Sequence, residues 1–510
     1  MLRAGVAVVR WGATIAAAYV THGADAPGQS AIADEQGKLT YSEVNARTNA
    51  LARGLAELGV READSVAVLC RNGRSFVEAV VACSKAGADI LLLNTSFSPT
   101  ELTAVVARER PSLLIYDGDF SPIVERADVD PSVVQLVGHA EGGPRDVKTL
   151  ESVIARSDPG GLPPPDHESR PVILTSGTTG TPKGARVARP ANLDPLAWFL
   201  RLVPLRARSP YLIAAPAFHA HGFGQMTIGA ALGCELVLPR RFDPEQTLAL
   251  IERHRAEGVV AVPVMLKRIM ELPPEVRDRY DTSSLRLVLC SGSALTPALA
   301  REFMDEFGPV VYNLYGSTEL SGATIATPDD LLSAPGTVGR PLPHTQIAIL
   351  DDNGTILPQG SVGHIFVGHE MLFEGYTDGS RLDVSAGGMM SAGDLGHLDA
   401  DGRLFIDSRA DDMIISGGEN VYPSEVEVVL SQHPGVDEVA AVGVEDEQFG
   451  QRFVAFAVLR PGQELEPQQL LAYAKENLAR YKVPREVRVL DELPKNALGK
   501  VLRRELRSLT

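Results

Sequence analysis

Short apolar runs alternate with segments of helical period through the first third of the chain, and this alternation narrows the available folds more than any other feature. Thr40-Tyr41-Ser42-Glu43 has the spacing of a capping box, in which a hydroxyl and a carboxylate three residues apart satisfy the first backbone donors of a helix. It predicts a helix with Val44, Leu51, Leu55 and Leu58 on one side, stopped at Gly59. Val66-Ala67-Val68-Leu69 reads as a buried strand, 76–86 as a second helix and 90–93 as another strand. Ser98-x-x-Glu101 repeats the capping-box spacing ahead of the strand-like Leu113-Leu114-Ile115. Strands that are apolar along their whole length are buried on both faces, and in alternation with helices they build covered parallel sheets.

A Pro/Gly-rich stretch at 157–170 leads into a second α/β stretch from about 171 to 335. From about 336 to 408 the texture changes to short strands with turn signals at Asp352-Asn353-Gly354 and Asp401-Gly402, which predicts a β-rich subdomain. Helical period returns at 423–431 and 467–479, with strands at 439–444 and 453–459. The expected fold class is α/β. A large N-terminal domain, residues 1–409, holds two parallel-type α/β subdomains and the β-rich one. A charged boundary at 410–411 separates it from a small α+β C-terminal domain at 412–510.

Composition removes whole classes of function. Hydrophobic residues at 44% and charged residues at 22% exclude a disordered chain, a fibrous repeat and a polytopic membrane protein. The net charge of −17 repels a phosphate backbone, so no nucleic-acid partner is expected. Cys70, Cys83, Cys234 and Cys290 lie in apolar runs without C-x-x-C spacing and read as reduced core residues of a cytoplasmic protein. Residues 4–20 are small and apolar, but Arg10 interrupts them and the uncharged run is too short to span a bilayer. They are expected to form a surface helix, making peripheral membrane contact at most or contributing to a homodimer.

Four segments carry chemistry. Thr175-Ser176-Gly177-Thr178-Thr179-Gly180-Thr181-Pro182-Lys183-Gly184 follows the strand-like Val172-Ile173-Leu174. Its glycines let backbone N–H groups face an anion, its hydroxyls add donors and its lysine adds charge, which together suit a polyphosphate. It is not a Walker A loop, because Pro182 precedes Lys183 where that pattern needs glycine. Tyr315-Gly316-Ser317-Thr318-Glu319 places a carboxylate beside hydroxyls at a strand end, where it can hold Mg²⁺ already bound to phosphate; taken alone its default reading is a solvated turn. Asp394, with Arg409 fifteen residues on, can accept from both hydroxyls of a ribose. Lys500 follows Gly499 on a turn, and taken alone this segment reads as a basic tail beside Arg503, Arg504 and Arg507.

In this order the four segments resemble the AMP-forming adenylating superfamily, which includes acyl-CoA synthetases, aryl-CoA ligases, peptide-synthetase adenylation domains and beetle luciferases. The resemblance runs from about Thr40 to Arg504, and the segment from Arg409 to Pro423 is especially similar to the hinge motif of CoA-forming members. It implies ATP, Mg²⁺ and coenzyme A, with a carboxylic acid activated as its acyl-adenylate and then passed to the thiol. By motif position, 175–184 would close on the phosphates, with Thr175, Ser176, Gly177, Thr178, Thr179, Gly180, Thr181 and Lys183 in contact. Glu319 and Thr178 would hold Mg²⁺. Gly292, Ser293, Ala294 and Tyr315 would pack the adenine, with Gly316, Ser317 and Thr318 beside them, and Asp394 and Arg409 would bind the ribose. Lys500 would bridge the carboxylate and the α-phosphate. The mobile C-terminal domain would turn about Asp411 and bring Ser416, Gly417 and Gly418 to the pantetheine channel. The sequence departs from the pattern at His364, Ala392 and Met389-Met390, which stand where an acid, a threonine and an aromatic are usual.

Pro216-Ala217-Phe218-His219-Ala220-His221-Gly222-Phe223-Gly224 matches the family's acyl-pocket segment, in which the position of His219 gates the acyl tunnel. No aspartate is present there to pair with an amino-acid ammonium. Phe218, His219, Gly222, Val262, Leu314 and Gly316 form the expected acyl pocket, with glycines at 222, 224 and 229 leaving room for a chain. The expectation is a medium- or long-chain fatty acid–CoA ligase. The alternatives are an aryl-CoA ligase, a fatty acyl-AMP ligase that stops at the adenylate, and a non-catalytic acyl-nucleotide sensor.

Overall fold

The computed structural model describes residues 10–139, 148–175, 182–188, 194–382, 384–385, 387–410, 412, 414–416, 419–446, 450–478, 482–496 and 499–510. The chain divides into two compact units: Met1–Pro335 with Leu342–His344 and His369–Leu382, and Gly336–Pro341 with Thr345–Gly368 and Asp383–Thr510. The second unit therefore includes most of the β-rich stretch together with residues 412–510. Long-range strand pairing explains this: Gln346–Leu350, Gly363–Gly368, Met390–Leu398 and Leu404–Arg409 form one antiparallel run that also takes in Thr337–Pro341.

The first unit holds two sheets. In one, Pro171–Thr175, Asp89–Leu92, Ser65–Leu69, Leu113–Tyr116 and Val134–Val137 run parallel in that spatial order. Lys183–Arg186 and then Gly375–Tyr376 add antiparallel strands at the Pro171–Thr175 edge. In the other, Val311–Ser317, Leu287–Cys290, Gly258–Ala261, Pro210–Ile213, Glu235–Val237 and Ser30–Asp34 are parallel neighbours, with antiparallel Ser321–Ala326 and Gly37–Thr40 at either end. The central strands are buried along their length, as their continuous apolar runs require. Both predicted capping boxes are present: Thr40 opens the helix Tyr41–Glu57 and Ser98 opens Pro99–Glu109. All four cysteines are free and buried.

The N-terminal expectation is corrected. The helix Ile15–Asp25 is not a surface element: Ile15, Ala16, Ala17, Ala18, Tyr19 and Thr21 are buried, and the Tyr19 ring lies 5.5 Å from that of Tyr41. Small residues here permit close helix packing on Tyr41–Glu57 and Ala220–Ala231, and residues 4–9 of the same expectation lie outside the described residues. No helix among the described residues is long and apolar enough to cross a membrane.

The second unit ends in another sheet, where Val436–Asp446 pairs antiparallel with Gly450–Leu459 and Glu486–Val489 pairs parallel with it. Alternate residues face opposite cores. Phe453, Ala455 and Ala457 pack with Val426, Leu430 and Leu470, while Val454 and Phe456 pack with Leu493 and Leu506.

One buried cation ties two helices of the first unit together. Lys85, on Arg74–Ala86, donates to Asn45 O and Oδ1, Thr48 Oγ1 and Asn49 Oδ1 at 2.7–3.0 Å. Burial pulls its pKa down to about 7. Between that value and the unfolded value of roughly 10.4 the unfolded chain binds the extra proton, so this group makes stability rise with pH across that window. Lys85→Met should remove that pH dependence from denaturant unfolding curves. It should also cost about 1–3 kcal/mol, because the oxygens of Asn45, Thr48 and Asn49 lose their donor.

Candidate active site

The first unit closes the predicted phosphate loop at both ends. Thr175 and Lys183 are antiparallel partners, and Thr175 Oγ1 donates to Lys183 O at 3.5 Å. Residues 176–181, including Ser176, Gly177, Thr178, Thr179, Gly180 and Thr181, lie outside the described residues. Arg108 Nη2 donates to Pro182 O at 2.5 Å and pairs with Glu109 at 2.7 Å, which anchors the point where the loop rejoins the sheet. Gly184 is required by packing: a Cβ there would lie 2.8 Å from both Thr377 Oγ1 and Val172 Cγ1.

Tyr315 and Ser317 lie on Val311–Ser317, which turns tightly into Ser321–Ala326. Gly316 allows the two backbones to approach, since a Cβ would meet Ser321 O at 1.8 Å. Ser317 Oγ accepts from Leu320 N at 3.2 Å, which ties the turn holding Thr318 and Glu319. The Glu319 carbonyl accepts from Phe373 N at 2.9 Å, and its Oε1 accepts from Tyr376 Oη at 2.8 Å. Burial first, and the Glu319 carboxylate second, raise the Tyr376 pKa well above the usual tyrosine range, so it stays a donor. Gly292 and Ala294 are exposed and Ser293 is half-buried, on the turn after Leu287–Cys290; Gly292 has φ +89°.

The segment 375–380 was not singled out from sequence, and it joins these parts. Lys183 Nζ pairs with Asp378 at 3.0 Å, donates to Ser380 Oγ at 3.1 Å and lies 5.5 Å from the centre of the Tyr376 ring. Thr377 Oγ1 donates to Glu109 Oε1 at 2.8 Å. A two-residue strand carries no periodicity, and the Gly375-Tyr376 pair was its only sequence signal.

His219 precedes the helix Ala220–Ala231, in van der Waals range of the Phe218 ring at 4.2 Å between centroids. Buried Asn72, also missed, shapes the approach: its amide donates to Ile213 O and Ala215 O, and its oxygen accepts from Ala217 N. His221 Nε2 lies 3.2 Å from both Ala261 O and Leu289 O. Two carbonyl neighbours require the proton on Nε2, which leaves Nδ1 a buried acceptor without a partner among the described residues. Burial lowers both histidines from near 6.5 to about 4, helped at His219 by His221 and opposed at His221 by those carbonyls.

The pocket glycines do not all make room. A Cβ at Gly222 would lie 2.2 Å from Pro216 O, and one at Gly229 would lie 2.8 Å from Leu236, so both serve packing, as Gly316 does. Only Gly224 of the three counted as spacious faces open space. Phe218 and Val262 are buried, and Leu314 is half-buried.

In the second unit Asp394 and Arg409 are directly opposed on neighbouring strands, with Nη1 2.9 Å from Oδ1. Gly393, at φ +68°, sits against the guanidinium. Lys500 is exposed on a turn where its N–H donates to Asn496 Oδ1 and its carbonyl accepts from Asn496 N, each at 2.9 Å. The basic-tail reading fails for its neighbours: Arg503 pairs with Glu427 and Asp412, Arg507 pairs with Asp412, and Leu506 is buried. His364 pairs with Asp352 at 3.0 Å. Asp411, Gly417 and Gly418 lie outside the described residues, and Ser416 is described only as part of the strand Ile414–Ser416.

Since neutral His219 and His221 must take up protons on unfolding below pH 6.5, stability should fall as pH drops from about 6.5 towards 4. His221→Gln keeps a donor at the Nε2 position without titrating. Thermal melts of this variant across that window should show a shallower loss than the wild type.

Comparison with known proteins bears on the chain as a whole. The AMP-binding enzyme family model matches residues 20–377, and the model of the AMP-binding enzyme C-terminal domain matches 425–500. The chain is 33% identical over 496 residues to the indoleacetate–CoA ligase of Aromatoleum aromaticum, covering 95% of each protein. It is 32% identical over 487 residues to the 2-succinylbenzoate–CoA ligase of Bacillus cereus, covering 95% of this chain and 96% of the other. The structure of the anthranilate CoA ligase AuaEII with anthranoyl-AMP superposes with a TM-score of 0.86 at 26% identity, covering 97% of each chain.

Proposed function

Because the chain belongs to the AMP-binding enzyme family, we propose that it is an AMP-forming acid–CoA ligase whose substrate is a ring-bearing carboxylic acid. The observation that carries the chemistry is that Lys183, at the closed ends of the 175–184 loop, and Glu319 both lie against Tyr376. That arrangement offers a cation and a carboxylate to one polyphosphate and its metal ion. Glu319, together with Thr178, would hold a cation that arrives already bound to ATP. When bound, Mg²⁺ supplies charge neutralisation on the phosphate oxygens.

In the first half-reaction a substrate carboxylate oxygen bonds to the α-phosphorus and the bond to pyrophosphate breaks. Lys183 and Thr175, with the loop between them, receive the departing phosphates. Tyr315 with Gly292, Ser293 and Ala294 holds the adenine, Asp394 and Arg409 hold the ribose, and Lys500 meets the charge gathering between carboxylate and α-phosphate. In the second half-reaction the CoA sulfur bonds to the acyl carbon and AMP leaves. Ser416, Gly417 and Gly418 serve CoA, and Asp411 is the hinge. His219 gates the acyl group as a neutral ring at working pH, given a pKa of about 4.

Two facts favour a ring-bearing acid. The relatives described above are named for indoleacetate, succinylbenzoate and anthranilate. The packing roles of Gly222 and Gly229 also withdraw two of the three glycines that had argued for room for a long chain. A fatty acid is the second reading, favoured by the open space at Gly224.

The test supplies ATP, Mg²⁺ and a panel of arylacetates, benzoates and C2–C18 fatty acids, and follows pyrophosphate and thioester with and without CoA. Pyrophosphate release with CoA-dependent thioester on aromatic acids is expected. Preference for fatty chains would replace the substrate class, adenylate without thioester would remove the ligase step, and silence on every acid would overturn the reading. Lys500→Ala should slow adenylation on the order of 10²–10³-fold while thioester formation from supplied acyl-adenylate continues. A wild-type adenylation rate in that variant would remove Lys500 from the step.

A further inference from the structure

Lys183 and Glu319 come from different sheets of the first unit, yet one side chain touches both. The Tyr376 ring lies beside the Lys183 ammonium, 5.5 Å from Nζ to the ring centre, and its hydroxyl donates to Glu319 Oε1 at 2.8 Å. This hydrogen bond occupies one carboxylate oxygen and leaves Oε2 without a protein partner among the described residues.

Tyr376 is itself held from several directions. It is the strand partner of Ala185, two residues beyond Lys183, and its ring meets Phe373 edge-on at 4.9 Å. Its N–H donates to Ser380 O at 3.1 Å, and the adjacent Thr377 N–H donates to Gly184 O at 2.8 Å. The phenol is thus fixed to the same strand that carries Lys183, and it reaches across to the turn that carries Glu319.

We propose that Tyr376 is a positioning residue for adenylation: it orients the Glu319 carboxylate, Oε2 outward, to receive the divalent cation carried on the nucleotide's phosphates, in register with Lys183. The proposal rests on the adenylating function argued above. A hydroxyl donating to an ionised ligand fixes the plane of the carboxylate, and partners of this kind alter metal affinity although they never touch the metal. The ring contact with Lys183 keeps the cation and the carboxylate of the site at one separation.

Tyr376→Phe keeps the ring against Lys183 and removes the hydroxyl, with its donation to Glu319 and its hydrogen bond with Thr175. The Mg²⁺ concentration for half-maximal pyrophosphate release should rise on the order of tenfold, with kcat at saturating Mg²⁺ changed by less than about twofold. Mn²⁺ binding to the enzyme–ATP complex, read by water-proton relaxation, should weaken by a similar factor. Thr377→Val is the control, because it loosens the same segment at Glu109 without touching Glu319; it should leave both readouts at the wild-type value. Unchanged Mg²⁺ and Mn²⁺ dependence in Tyr376→Phe, or an equal shift in Thr377→Val, would overturn the proposal. Should the wild type release no pyrophosphate from any acid, the functional reading fails by itself, and the Mn²⁺ comparison still decides the role of Tyr376.

Discussion

A protein of net charge −17 that binds a polyphosphate must place its few useful cations where their counter-ions can be exchanged. Most cations of the first unit are committed. Arg74 is locked on buried Asp34, and Arg240 on fully buried Asp117. Lys183 differs: its partner Asp378 is exposed, on a turn that itself satisfies the carboxylate through Ser380. The serine hydroxyl and N–H first, and Lys183 after them, draw the Asp378 pKa below the usual carboxylate range. An anion arriving at Lys183 therefore does not strand Asp378 unsolvated, whereas removing Arg240 would leave Asp117 with a charge and no water. Exchangeability separates Lys183, the lysine proposed to meet the phosphates, from the structural arginines around it.

The acyl side of the site is governed by the opposite condition. Here the polar groups are kept neutral. His221 is pinned between two main-chain carbonyls, and burial holds both His219 and His221 uncharged well below neutrality. A neutral ring can turn or accept a hydrogen bond at little cost, while an imidazolium at that depth would demand a counter-ion that the surrounding carbonyls do not supply. The two parts of the proposed site thus lie in two electrostatic regimes within one unit: an exchangeable ion pair at Lys183 and buried neutral donors and acceptors at His219 and His221.

What could be read from the residues followed the range of the interaction. The capping boxes at Thr40 and Ser98 are local, and both are present as expected. The Asp394–Arg409 pair was also legible, since the Asp401-Gly402 turn between them folds the two strands back into direct register. Failures came where a residue's meaning is set by a distant partner. The small residues of Ile15–Asp25 look the same on a surface helix as on one wedged against Tyr41. The compact second unit gathers strands from both sides of His369–Leu382, a grouping that no linker or composition shift announces.

Glycine shows that limit most sharply, and it bears on substrate. A glycine that opens a cavity and one that lets two backbones touch leave the same letter in the sequence. Gly224 is of the first kind, whereas Gly222 against Pro216 O and Gly316 against Ser321 O are of the second. Reading the glycines at 222, 224 and 229 all as space favours a long chain, and separating them shrinks the implied room and favours a compact acid. Gly316 also connects the two themes of the site, because the close approach it permits forms the turn that presents Glu319 to Tyr376. That same backbone contact thereby fixes the carboxylate proposed to serve the phosphate chemistry.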